Sequence, residues 1–481
     1  MLTRRRFMTG AAGLALNGSV SRAGSGPTLG PMVEPGPGKT VAVTLAAAER
    51  PTALPCFGGR SLPLWTFAEG QWPPVIRLDL GDQLQATLQN RLPRAGEHTS
   101  IHWHGIRLPN DQDGVPYLVQ PPVRPGEDHA YSFTPPDAGT YFFHTHCNTV
   151  EQLGRGLEGV LIIDGDVTEP YDADEVLLLR DWRVEPGEAE FAAFTSARGA
   201  GRAGSYGSLR SVNGAARPDI ALPASGDCRL RIINTDPTRI MVIGIDGAEA
   251  AIIAIDGIAV APQPLGTWSM GPAMRLDIVV RPPTGGGIAS LIDSNFDDRV
   301  ELARLVGTGA PRRSGDFDPA PLRRGRVPVP DPASAVRLAF RFQATAAGAA
   351  IAAADDGLGL ALDHLCLSTR QLWSINGRGW PGPDHSALPP PLAILERGQS
   401  YVFSLKNETV FSHPIHIHGH FFAVLASNKR PLLPHNADTV LLLPDEEVEV
   451  AFVADNPGDW MFHCHIIEHQ ENGMMGYLRV A

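Results

Sequence analysis

The chain predicts an all-β protein made of three β-sandwich modules, and three observations carry that expectation. Gly (51) and Pro (43) are abundant and spread along all 481 residues, as frequent turns require. Short runs such as Val75–Leu80, Val402–Leu405 and Val448–Phe452 alternate apolar and polar residues at period two. Segments near the two ends also repeat one another. Phe133–His146 lies over Phe452–His465 without a gap, and Ile101–Gly105 lies over Ile415–Gly419. A chain this long exceeds one hydrophobic core, and short strands with regular turns pack as antiparallel sandwiches.

Taken in chain order, residues 1–25 read as an export signal. Thr3-Arg4-Arg5-Arg6-Phe7 has the form of a twin-arginine motif, a short apolar stretch runs from Met8 to Leu16, and Ser21-Arg22-Ala23 is a cleavage site. That route carries folded proteins and predicts a periplasmic location. Residues 40–167 form the first module, in which Gly81 and Asn90 bracket a strand. Residues 172–306 form a diverged middle copy, with Gly226 and Asn234 in the same roles. Residues 307–335, rich in Pro, Arg and Gly, are the linker. Residues 336–481 are the last module, where Gly398 and Asn407 repeat the pattern; a helix is expected around Ala344–Leu362. The net charge of −12 argues against nucleic acid as a partner. No apolar stretch reaches the length of a membrane-spanning helix.

The histidines carry the chemistry. At this His content a random chain would show roughly half an H-x-H pair; five occur here. The clusters are His102-x-His104, His144-x-His146, His413-x-x-His416-x-His418 and His463-Cys464-His465-x-x-x-His469, and the middle module has none. Strand parity sorts them, because residues i and i+2 share a face. His463 and His465 point one way and Cys464 the other; His416 and His418 point one way and His413 the other. Two sites follow. Cys464, His413 and His469, with Met474 as axial thioether or Met475 in its place, make a blue-copper electron-transfer set. Zinc is the rival for Cys and His, but a thioether is a poor zinc ligand. The other site gathers eight imidazoles, His102, His104, His144, His146, His416, His418, His463 and His465, enough for three more coppers with positions open for O2. Cys464 is joined through backbone to His463 and His465 and so links the two sites covalently.

The motifs HWHG at 102–105, HTH at 144–146, HPIHIHG at 413–419 and HCHIIEHQENGM at 463–474 resemble the multicopper oxidase family of laccases, bacterial copper-efflux oxidases and bilirubin oxidases. The resemblance implies three cupredoxin-like Greek-key sandwiches, four copper ions, and one-electron oxidation of a small reducing substrate coupled to reduction of O2 to water. It implies a type 1 copper on His413, Cys464, His469 and Met474, and a type 2 copper on His102 and His416. One type 3 copper then falls to His104, His144 and His465, and the other to His146, His418 and His463. Asp113 matches an acid that relays protons to the cluster, although Asp-Gly is also an ordinary turn signal. A second acid is common where this chain has Gln470, with Glu468 and Glu471 nearby. Catalysis is therefore assigned to Asp113, Cys464, His463 and His465.

The donor is read as phenolic or aromatic. A Cu(I) or other metal-ion oxidase is the alternative, but no Met lies between Met274 and Met461 to build a Met-rich segment. A cupredoxin-domain protein without activity is the third reading. Substrate choice is assigned to loops around an exposed edge of His469, with Asp438 a substrate contact by position. The protein is read as a monomer. His98, His129, His364, His385 and His435 are taken as turn or surface residues and His420 as packing. Cys56, Cys147, Cys228 and Cys366 allow three disulfide pairings, with free buried thiols the alternative.

Overall fold

The computed structural model describes residues 28–295, 299–353, 371–381 and 388–481. The export signal, His364, Cys366, His385 and the expected helix beyond residue 353 lie outside those residues. Among the described residues, strands build three sandwiches of two sheets each: four strands facing four, then six facing five twice. None of the described helices is long and apolar enough to cross a membrane.

The same topology recurs three times. In the first sandwich Thr40–Thr52 pairs with Gln83–Arg91 in parallel, in the middle one Ala173–Trp182 with Cys228–Asn234, and in the last Val336–Ala344 with Ser400–Asn407. The facing sheets repeat this, with Val75–Asp79 parallel to Glu158–Asp164, Asp219–Pro223 to Val300–Thr308, and Ala393–Leu395 to Met475–Val480. The sheets are thus mixed, where short strands with regular turns predict antiparallel ones. Between the two partners of each first pair, the chain leaves for the opposite sheet and returns, so the strands come back pointing the same way.

Each sandwich closes over its own apolar core. Trp65, Trp103, Tyr131 and Phe143 fill the first, Leu230, Ile232, Leu276 and Ile278 the middle, and Phe340, Phe403, Trp460 and Phe462 the last. The middle sandwich is joined to the first by buried ion pairs. Arg229, held also by Asp277 of its own sheet, binds Asp166, and Arg180 binds Glu158 at 2.5 Å. Such pairs add geometric constraint more than net stability. The expected helix is present as Ala346–Ala353, starting after the strand that ends at Ala344.

The three described cysteines of the possible bridges, Cys56, Cys147 and Cys228, are free thiols. Every pairing of four cysteines joins two of those three, so none of the three pairings is complete. Burial pushes Cys56 up to about 11 and Cys147 and Cys228 up to about 12, which leaves them protonated at neutral pH.

Candidate metal centre

Two sheets meet where the first and last sandwiches face one another. His102–His104 is the outer strand of one sheet, with His102 opposite His144 on Gly139–His144. His413–Ile417 lies in the other, with His416 opposite His463 on Gly458–Cys464. The repeat seen in sequence therefore places equivalent imidazoles on two facing surfaces. His102 stacks on His418 and His104 on His416, each with ring centres 3.8 Å apart.

The ring nitrogens are arranged with their lone pairs inward. His102 Nδ1 donates to the Asp113 carbonyl (3.0 Å), His144 Nδ1 to that of Thr145 (2.8 Å), His416 Nδ1 to that of Asp438 (2.9 Å) and His463 Nδ1 to that of Cys464 (2.9 Å). His418 Nδ1 donates to Asp113 Oδ2 at 2.8 Å and His104 Nε2 to Asp438 Oδ1 at 3.1 Å. One nitrogen held as donor fixes the other as acceptor. In four of these rings the other nitrogen, His102 Nε2, His104 Nδ1, His144 Nε2 and His416 Nε2, is buried with no protein partner, as are His146 Nε2 and both nitrogens of His465. Unsatisfied buried acceptors in such number are otherwise rare. Burial first, then neighbouring imidazoles, holds His104, His144, His146, His418, His463 and His465 well below the ordinary histidine range. They are neutral, the form that binds metal.

These atoms fall into groups whose members all lie within 4.8 Å of one another: His102, His104 and His416; His104, His144 and His465; His146, His418 and His463. Asp113 joins His102 and His418 in a further group. Its carboxylate, 1% exposed, thus bridges one imidazole from each sandwich.

On the opposite face of Gly458–Cys464, Cys464 Sγ stands 3.6 Å from His413 Nδ1 and 3.7 Å from His469 Nδ1, with the two nitrogens 3.0 Å apart. A point equidistant from the three atoms lies about 2 Å from each, the length of a transition-metal bond to imidazole or thiolate. His413 Nε2 meets Thr409 Oγ1 at 2.8 Å, which leaves Nδ1 facing that point. Burial drives the Cys464 thiol above its ordinary range, so only a cation there would make it a thiolate. Met474 is wholly buried in the same core cluster as Cys464, whereas Met475 packs on the other side beside Val115 and Trp380.

Several expectations are corrected. Asp438 is no substrate contact: it is 0% exposed and sits behind the imidazole cluster. It accepts from His104, from Thr439 Oγ1 at 2.7 Å, and from Arg275 through Nη1 at 2.9 Å and Nη2 at 2.5 Å. Burial opposes its ionisation, but Arg275 and His416 outweigh that and hold its carboxyl far below the usual range. Arg275 belongs to the middle sandwich, so a module with no ligand of its own reaches the centre. The signal for it was a charge at the head of an apolar strand, Arg275-Leu276-Asp277-Ile278, which demands a buried partner. Gly105 makes the approach possible: its φ is +83°, and a Cβ there would lie 2.4 Å from Arg275 Nη2 and 2.6 Å from Asp438 Oδ2.

His469 has no exposed edge. It is wholly buried, and its Nε2 donates to the Arg202 carbonyl at 2.5 Å. Glu468 turns away from the cluster to accept from Ser196 and Ser205. Gln470 and Glu471 instead line a cavity of about 630 Å³ that also meets His98, Tyr117, Trp380 and His146. His435 lies on a strand against Trp268 rather than in a turn, and His420 packs against Phe452 and Trp460 as expected.

Known proteins are similar in both sequence and fold. Family models described as multicopper oxidase match residues 55–167 and 367–481. A multi-copper oxidase of Pseudomonas thermotolerans is 36% identical, covers 92% of this chain and 100% of its own, and superposes with a TM-score of 0.82. A multicopper oxidase of Mycobacterium tuberculosis is 29% identical, covering 98% of this chain and 95% of the relative. Laccase-2 of Botryotinia fuckeliana is 27% identical over 83% of this chain and 76% of its own. With two sets of inward-facing metal-ligand atoms joined through one cysteine, on three repeated sandwiches, the chain belongs to the multicopper oxidase family.

Proposed function

We propose that the protein oxidises phenolic or other aromatic donors one electron at a time and reduces O2 to water, as laccases do. The observation that carries the reading is the grouping of eight inward-facing imidazoles next to a Cys464–His413–His469 triangle. Four copper ions fit the donor set. His413, Cys464, His469 and axial Met474 would hold the type 1 ion, and His102 and His416 the type 2 ion. His104, His144 and His465 would hold one type 3 ion, and His146, His418 and His463 the other. Bound there, copper supplies one-electron acceptance at the first site and four-electron reduction of dioxygen at the second.

The protein's own groups do the rest. Cys464 shares backbone bonds with His463 and His465 and so gives electrons a covalent path from one site to the other. Asp113, hydrogen-bonded to an imidazole from each sandwich, stands where protons must reach the cluster. Asp438, paired with Arg275, holds His104 from behind. Four phenols each lose one electron and one proton, and four electrons and four protons convert one O2 to two waters. The boundaries 40–167, 172–306 and 336–481, export by the twin-arginine route to the periplasm, and a monomeric state belong to the same reading.

The test is O2 uptake by purified, copper-loaded protein with a phenol, Cu(I) and Fe(II) as donors in turn. Uptake with the phenol, at four phenols per O2, is expected. Uptake with Cu(I) alone would replace the aromatic reading with the metal-ion one. A colourless protein that takes up no copper would leave a cupredoxin-domain protein without activity.

A further inference from the structure

Residues 196–205 leave the middle sandwich and cross over the type 1 triangle. Their carbonyl at Arg202 takes up the one hydrogen that the buried His469 ring could offer a donor. Both ends of the segment are pinned to Glu468. Ser196 N–H donates to Oε1 at 3.2 Å, Ser205 Oγ donates to Oε1 at 2.9 Å, and Ser205 N–H donates to Oε2. Its middle is pinned as well. Trp373 Nε1, whose ring packs against those of His413 and His469, donates to the Ala200 carbonyl at 2.7 Å. Ala200, 5% exposed, is part of the last sandwich's core cluster with Ile351 and Leu372. Gly204, at φ +92°, fits so closely that a Cβ would lie 2.5 Å from Thr238 Cγ2.

We infer that this segment is a specificity-determining cap on electron entry. A phenol that must hydrogen-bond the imidazole edge finds its nitrogen already engaged and covered. A donor that transfers its electron without bonding to the protein passes it through the Arg202 peptide, whose carbonyl is hydrogen-bonded to the ring. The cap therefore slows phenols relative to contact-free donors without excluding them, and uncovering His469 speeds them. The electron balance is that of the proposed oxidase reaction: the donor loses one electron to the resident copper, and a phenol also gives up its proton to water. The inference rests on that reaction and on His469 as the entry point.

The ends of the cap are close, with Ser196 Oγ 3.0 Å from Ser205 Oγ, so the loop between them can be shortened. One variant replaces residues 197–204 with two glycines and leaves Glu468 in place. A second, Glu468→Ala, keeps the loop and removes its anchor. Each is loaded with copper, checked for the blue absorption, and assayed with 2,6-dimethoxyphenol and with ferrocyanide, a contact-free donor. Both variants are expected to raise kcat/KM for the phenol relative to ferrocyanide by roughly tenfold or more. Limited trypsin digestion reads the cap without activity: cleavage after Arg198 and Arg202 should be slow in the native protein and fast in Glu468→Ala. Equal changes for the two donors, or equal cleavage in both proteins, would overturn the cap and leave the oxidase reading standing. No turnover with either donor in blue, copper-loaded native protein would remove the oxidase reading and the cap with it.

Discussion

Arg275→Met tests whether the middle sandwich holds the copper centre in shape. The side chain is wholly buried and makes two hydrogen bonds to the Asp438 carboxylate. It also donates to the carbonyls of Thr140, Ala273 and Asp256. Removing one member of a buried ion pair leaves the other uncompensated, at about 3–5 kcal/mol. Three carbonyls that lose a donor put the loss towards the top of that range. Asp438 would then take up a proton more readily, and its grip on His104 and His416 would loosen. Loss of such support behind a metal ligand weakens metal binding about 10- to 100-fold. The assays are the urea midpoint of metal-free protein and copper retained per chain after dialysis against a chelator. The double variant Arg275→Met/Asp438→Asn removes both charges and should regain at least about 1 kcal/mol over the single change. A single variant destabilised by less than about 1 kcal/mol that keeps all its copper would refute the reasoning.

Three further outcomes are expected. Cys464→Ser should abolish the blue absorption and turnover while leaving the far-ultraviolet circular dichroism unchanged, since the two side chains are nearly the same size; retained oxidase activity would contradict the electron-entry assignment. Gly105→Ala should reduce copper content at the imidazole cluster, because the added methyl would meet Arg275 and Asp438 at 2.4 and 2.6 Å, and copper analysis reads it. The metal-free protein should lose stability in acid. Burial depresses the buried histidines, taking His469 and His420 to about 4, so the folded state binds fewer protons than the unfolded one. Their contribution is complete above the unfolded value of about 6.5 and is lost as pH falls towards 4, at up to about 1.4 kcal/mol per pH unit for each imidazole. Thermal melts across that window should show the fall, and a flat profile would contradict it.

Much of this was legible in the sequence, for a local reason. Strand residues two apart share a face, so spacing alone separates Cys464 and His413 from the paired imidazoles, and the end-to-end repeat says that two like surfaces carry them. Period-two patterning likewise announced the sandwiches, although not their parallel pairs, which depend on where the chain crosses between sheets. What lay beyond the sequence is what distant segments bring to the same place. Asp438 reads as a loop residue beside a strand until Arg275, 163 positions away, is seen to neutralise it behind His104. The cover over His469 is a backbone carbonyl, which any residue at position 202 would present, and no side-chain pattern announces it. That Cys56, Cys147 and Cys228 stay free thiols is visible only in the folded chain. Sequence sets which groups are available and which way each strand turns them. Packing among the three sandwiches sets their neighbours, and with them the charge, tautomer and accessibility of each group.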